Sequence, residues 1–245
     1  DSPATREVLD RNLRAEGHVV VSAANVAAAM AILNQGPIDL VILGTEDEYE
    51  RAARRFQTVL EELVQELALL RTPVGEAYTL ARGKIARRMV AAVWPHRAVF
   101  ITPMAAVAGA VADEILQAMA PAGKAYVNNG GDIAVHLPRG ETFGAGIVNN
   151  PQRPMLDATI RLEEPCGIAT SGWRGRSQSL GIADAVTIVA DCGAAADAAA
   201  TMIANAVNAD HPAIRRAPAR RLKEDAVDVV VGIVEYFRVP NKWVP

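Results

Sequence analysis

The chain has 245 residues, enough for one large domain or two small ones and for a sizeable core. Hydrophobic residues make up 51%, which excludes general disorder, while aromatics are only 4%, so Ala and Val must build a closely packed core. A net charge of −3 excludes a nucleic-acid partner held by bulk electrostatics.

In chain order, residues 5–15 predict a short amphipathic helix ended by Gly17, and residues 18–22 (HVVVS) a strand. Residues 25–33 predict an Ala-rich helix closed by Gly36-Pro37, and residues 38–43 (IDLVIL) a second strand. This run resembles the start of a response-regulator receiver domain, but Gly44 follows the strand where the phosphorylated Asp would stand. Residues 1–36 are therefore expected to be an appendage. Residues 46–70 predict one long helix, with Phe56, Val59, Leu60, Leu63, Leu67 and Leu70 at helical spacing. Glu48, Arg51, Arg54, Arg55, Glu61 and Glu62 are expected on its solvated side. A helix over 84–93 closes at Trp94-Pro95-His96. Thr102-Pro103 opens an Ala- and Gly-rich helix over 104–119.

Strands are expected over 124–128, 133–137, 143–148, 158–162 and 167–170. Residues 185–190 (AVTIVA) are almost wholly apolar and are expected to form a central strand. An Ala-rich helix over 194–207 follows, then a basic run from Arg215 to Lys223 read as a solvated face, then a last strand over 227–234. The N-terminus has no basic region followed by an apolar stretch, and no run approaches the roughly 18 apolar residues of a membrane span. A cytoplasmic protein with no membrane partner is the expectation. Cys166 and Cys192 are too few for a disulfide framework. They read as small buried hydrophobes, with a reactive thiol at Cys166 as the alternative.

Chemistry concentrates in three segments. In Asn128-Asn129-Gly130-Gly131-Asp132, two glycines let the backbone approach a ligand and Asp132 adds a carboxylate. A tight turn with an Asx cap explains the same residues equally well. In the segment from Thr170 to Ser177, hydroxyls stand beside Gly172, Trp173, Arg174 and Arg176. Arginine forks suit phosphate oxygens, and Trp173 suits a planar ring. Third, Asp197 and Thr201 lie four residues apart, hence on one face of an otherwise apolar helix. A hard cation such as Mg²⁺ would satisfy both, and so would backbone partners. Asp184 either positions the loop at 171 or caps a turn, capping being the commoner role.

Taken together, TPMAAVAGAVADEIL, AYVNNGGDIAV, GIATSGWRGRS and IADAVTIVADCGAAADAAATMIANAV resemble the ApbE-like superfamily, relatives of the FAD:protein FMN transferases. The likeness is to its smaller, uncharacterised branch and spans about residues 37–240. It implies an ApbE-like domain over 37–245: an α/β (α+β) fold of antiparallel sheets with Ala-rich helices packed on one face. It also implies that Gly130, Gly131 and Asp132 lie against a flavin nucleotide, FAD or FMN, and that Thr170, Ser171 and Gly172 line the same pocket. Asp197 and Thr201 would hold Mg²⁺, helped by a backbone carbonyl near Ala105. Two departures stand out. Val107-Ala108-Gly109 occupies the place of an AKG step, so the lysine is missing, and SQSLGIAD replaces a His-x-x-Asp-Pro-x-Thr-Gly context.

Two functions of different class follow from the resemblance. One is an FMN-transferase-related enzyme that binds a flavin or nucleotide with Mg²⁺ and acts on a protein acceptor. The other is a non-catalytic flavin-binding accessory protein in cofactor or sulfur (homocysteine) metabolism. A homo-oligomer is a further expected partner state.

Overall fold

The structure is a computed structural model that describes residues 40–43, 46–147, 158–173, 179–212, 214–218 and 230–234. The expected elements at 5–15, 18–22 and 25–33 lie outside these residues, as do Arg174 and Arg176.

In chain order the described elements begin with β1 (Leu40–Leu43), α1 (Glu46–Gln65), α2 (Leu67–Leu70) and α3 (Lys84–Val93). Short 3-10 turns at Trp94–His96 and Pro103–Ala106 lead to α4 (Val107–Met119). Then come β2 (Ala125–Asn129), β3 (Asp132–His136), β4 (Phe143–Ile147), β5 (Ala158–Leu162), β6 (Cys166–Ser171) and β7 (Val186–Ala190). The last are α5 (Gly193–Ala206), β8 (Ile214–Pro218) and β9 (Val230–Val234). The main sheet has the order β1-β2-β3-β6-β7, and every neighbouring pair in it is antiparallel. The strand over 40–43 of the receiver-like start thus joins the same sheet as the GGD hairpin.

Strand alternation gives this sheet two different faces. Ala125, Val127 and Ala134 face a core shared with α3, α4 and α5, in which Met89, Val90, Ile115 and Met119 are completely buried. On the opposite face Tyr126, Ile133, Val135, Cys166 and Ile168 pack against Phe143, Ile160 and Leu162 of the β4–β5 hairpin. The helices therefore cover one face only, as expected for this α/β class, and the hairpin covers part of the other.

Four expectations are corrected. The helix predicted over 46–70 breaks at Glu66, whose carboxylate accepts the amides of Arg82 and Gly83 at 2.8 and 2.7 Å and so caps α3. Leu60, expected on the buried stripe, is 72% exposed. Part of the supposedly solvated side of α1 is a clamp on α4. Arg51 Nε donates to the Met119 carbonyl at 2.7 Å, Arg55 Nε to buried Glu114 at 2.9 Å, and Glu48 accepts the Ala122 amide. The strand expected to be central, β7, stands at the edge of the main sheet among the described residues. Its apolar character is used on one face, where Ile188 and Ala190 pack on Ala169, Ala196 and Ala200, while Val189 points out and is 44% exposed. Arg216, expected on a solvated face, is exposed on β8, which pairs with β9, and donates to the Leu180 carbonyl and to Asn208. Among the described residues no helix is long and apolar enough to cross a membrane.

Candidate functional site

The GGD segment closes the β2–β3 hairpin. Asn129 and Asp132 are cross-strand partners, so Gly130 and Gly131 form the two-residue turn between them. Their φ angles are 66° and 110°, a region that glycine enters freely. Asn128 Oδ1 accepts the Gly131 amide at 2.8 Å, so that amide serves the turn, and both glycines are exposed. The Asx-capped turn is therefore real, and what it delivers to the helical side of the sheet is Asn129 and Asp132. Asn129 Nδ2 donates to the Ala108 carbonyl at 3.1 Å, and Asp132 Oδ1 accepts the Thr170 amide at 3.3 Å. Thr170 and Thr187 share a hydroxyl contact of 2.8 Å across β6 and β7.

Helices α4 and α5 meet almost backbone to backbone. A Cβ at Gly109 would stand 2.1 Å from the Gly193 carbonyl oxygen, and one at Gly167 would stand 2.1 Å from the Gly193 nitrogen. Only small residues permit this approach, which is why the two helices are rich in Ala and Gly. Each helix caps the other. Asp113 of α4 accepts the Gly193 and Ala194 amides of α5 at 2.8 and 2.9 Å. Asp197 of α5 accepts the Gly109 amide of α4 at 3.1 Å and bonds the Ala108 amide as well. These are first-turn amides that have no partner within their own helix.

Asp197, Asp132, Asn129, Thr170 and the start of α4 thus converge. Burial first, and then the neighbouring Asp132 carboxylate, push the Asp197 carboxyl up to about 8 against the lowering effect of the two amides. Burial likewise pushes Asp132 up to about 6, against the Thr170 amide. Such mutual repulsion favours a proton on Asp197 at neutral pH, and a nearby cation would oppose it. Thr201 lies one helical turn beyond Asp197 and is half-buried, and Ala105 lies in the 3-10 turn that leads into α4. Among the described residues no group of three His, Cys, Asp or Glu side chains gathers as a metal cage. The expected donors are the Asp132 and Asp197 carboxylates and, one turn along α5, the Thr201 hydroxyl, with a backbone carbonyl near Ala105. That set fits Mg²⁺, which uses few protein ligands and fills its shell with water and phosphate oxygens.

Thr170 and Ser171 end β6 beside this cluster, and Gly172 follows. Ser171 is buried, and a Cβ at Gly172 would lie 2.3 Å from the Asp184 carbonyl oxygen. Trp173 donates its amide to the Ala183 carbonyl at 3.0 Å and its indole N–H to Asp184 Oδ1 at 2.8 Å. Asp184 therefore takes the rarer of its two expected roles and holds this loop. Burial pushes the Cys166 thiol up, away from the reactive thiolate, and its packing under β4 and β5 agrees with a small buried hydrophobe. Asp113 and Gly193 escaped the sequence reading, which named Asn129 only as part of the Asn128–Asp132 segment. Asp113 shares with Asp197 its place among the small apolar residues of an Ala-rich helix, but Glu114 beside it masks that signal.

A family profile described as AbpE bacteria matches residues 22–235. Among curated relatives, a UPF0280 protein of Methanopyrus kandleri is 36% identical over 137 residues, covering 55% of this chain and 54% of that protein. A UPF0280 protein of Methanothrix thermoacetophila is 40% identical over 116 residues, covering 45% and 48%. A third, of Methanothermobacter thermautotrophicus, is 33% identical over 166 residues and 64% of each chain. The chain spans about half the length of the first curated relatives it matches.

Proposed function

This chain belongs to the AbpE bacteria family, and from that premise we propose that it is an ApbE-like protein which binds a flavin or nucleotide together with Mg²⁺, in the manner of a relative of the FAD:protein FMN transferases. The observation that carries the reading is the pair of carboxylates, Asp132 and Asp197, brought together from β3 and α5 at the start of α4. Asp197, the Thr201 hydroxyl and the Ala105 carbonyl would hold the cation, with Asp132 beside it. The bound cation would neutralise and polarise a pyrophosphate. The rest is the work of this chain's own groups. The Gly130–Asp132 turn and the Thr170–Gly172 turn shape the pocket wall, and Trp173 flanks a planar ring. Arg174 and Arg176 follow in sequence and supply charge to phosphate oxygens.

A second reading has its own support. The AKG lysine is absent, because Val107-Ala108-Gly109 stands there, and Gly109 has no room for any side chain against Gly193. A pocket without that lysine suits a flavin-binding accessory protein in cofactor or sulfur metabolism that binds without transferring. Titration with FAD, FMN and ATP, with and without Mg²⁺, tests the shared claim, which fails if none binds. AMP release from FAD then separates the two readings, because a transferase-related enzyme releases AMP and a carrier does not.

A further inference from the structure

The tip of the β2–β3 hairpin meets its neighbours through two side chains on one face. Asn129 and Asp132 pair directly across the Gly130-Gly131 turn, and such cross-strand partners point to the same side. Alternation along the strands makes that the side of Ala125, Val127 and Ala134, which face the helices. The two residues then bond in different directions. Asp132 Oδ1 accepts the Thr170 amide at 3.3 Å, which ties the tip sideways to β6. Asn129 Nδ2 donates to the Ala108 carbonyl at 3.1 Å, which ties it to α4. Ala108 is the junction. Its carbonyl takes Asn129, while its amide and that of Gly109 bond the Asp197 carboxylate. A relay thus runs from Asn129 through Ala108 to Asp197, and Asn129 stands opposite Asp132. The helix itself does not require the asparagine, because α4 already offers the Ala108 carbonyl the amide four residues on. The turn does not require it either, since its cap is Asn128, which accepts the Gly131 amide.

We propose that Asn129 is a positioning residue that locks the hairpin tip to the start of α4 and so sets where Asp132 stands against Asp197. The inference rests on the cation-binding reading above and adds to it the residue that fixes its two carboxylates relative to each other. Asn129 acts through the Ala108 peptide, as an outer partner that orients the groups a cation would meet.

The test uses Mg²⁺ alone as the probe, titrated by calorimetry at neutral pH into the wild type, Asn129→Leu and Asn129→Gln. Leucine has the branching of asparagine and no donor, and glutamine keeps the donor on a longer stem. Asn129→Leu should weaken Mg²⁺ binding roughly tenfold or more, the size typical of a lost outer-shell partner. Its thermal midpoint in metal-free buffer should stay close to that of the wild type. Asn129→Gln should recover most of the lost affinity. If the leucine variant does not fold, Asn129→Ala takes its place. Amide hydrogen exchange in the metal-free protein gives a second readout. The Ala108 and Gly109 amides should exchange slowly in the wild type, and Asn129→Leu should speed both, together with that of Thr170. Mg²⁺ affinity and amide exchange both unchanged in Asn129→Leu would overturn the proposal and leave the cation reading standing. Equal losses in the leucine and glutamine variants would overturn it as well, because the donor would then not be what counts. A wild type that takes up no Mg²⁺ would remove the cation reading, and amide exchange would then decide the tie alone: faster exchange in Asn129→Leu upholds it, and unchanged exchange removes it.

Discussion

Asp113 and Asp197 perform the same task on the two sides of one helix crossing, where the first turns of α4 and α5 meet, and their surroundings differ. Each caps the first turn of the other's helix with two backbone amides. Asp113 is 8% exposed, both its oxygens are engaged, and its largest perturbation is burial offset by those amides. Asp197 is half-buried, faces a second carboxylate, Asp132, and lies toward the hairpin end of β2 and β3. A cap needs one carboxylate, so the second one at this end calls for a reason beyond helix stability. The comparison separates a structural aspartate from a functional candidate without any appeal to a relative.

The largest expected effect attacks what the two ends share. Gly109→Ala places a methyl group 2.1 Å from the Gly193 carbonyl oxygen, so α4 and α5 must separate and both caps loosen. Chemical denaturation should show a loss of about 3 kcal/mol or failure to fold. Asp113→Asn comes next. It keeps one acceptor and leaves a buried amide at the start of α5 without its partner, so a loss of about 2 kcal/mol is expected.

A pH series sharpens the contrast at Asp197. Both Asp132 and Asp197 have folded pKa values above the ordinary carboxylate value of about 4. Between about pH 4 and pH 8 the folded chain therefore binds more protons than the unfolded one, and its stability falls as pH rises. Thermal unfolding of the cation-free protein should show this decline, and Asp197→Asn should flatten it. At pH 8 that variant should lose less stability than Asp113→Asn does, because removing one of two facing charges offsets the amide left without its acceptor. A marked destabilisation by Asp197→Asn would mean that the pair is structural, like Asp113. The smallest expected effect is that of Thr201→Val, which preserves shape on α5. Stability should move by no more than about 0.5 kcal/mol, while Mg²⁺-dependent ligand affinity drops.

Much of this was legible in the sequence where local pattern and tertiary use coincide. The hairpin over 125–136 announced itself through Gly130-Gly131, and α4 and α5 through their small residues and the lone Asp197. What stayed hidden depends on partners distant in sequence. An apolar run such as 185–190 reads the same at the centre of a sheet or at an edge with one covered face. Arg51 and Arg55 look solvated until α4 supplies Met119 and Glu114. Asp113 went unread because a carboxylate beside Glu114 looks like an ordinary charged turn, and only the Gly193 contact shows what it caps.

The most direct test of the central claim is calorimetric titration of FAD into the wild type, Asp197→Asn and Asp113→Asn, each with and without Mg²⁺, at a temperature where all three are folded. The account predicts Mg²⁺-dependent binding in the wild type and in Asp113→Asn, and none in Asp197→Asn. Mg²⁺-dependent binding that persists unchanged in Asp197→Asn would contradict it and return Asp197 to the role of a helix cap.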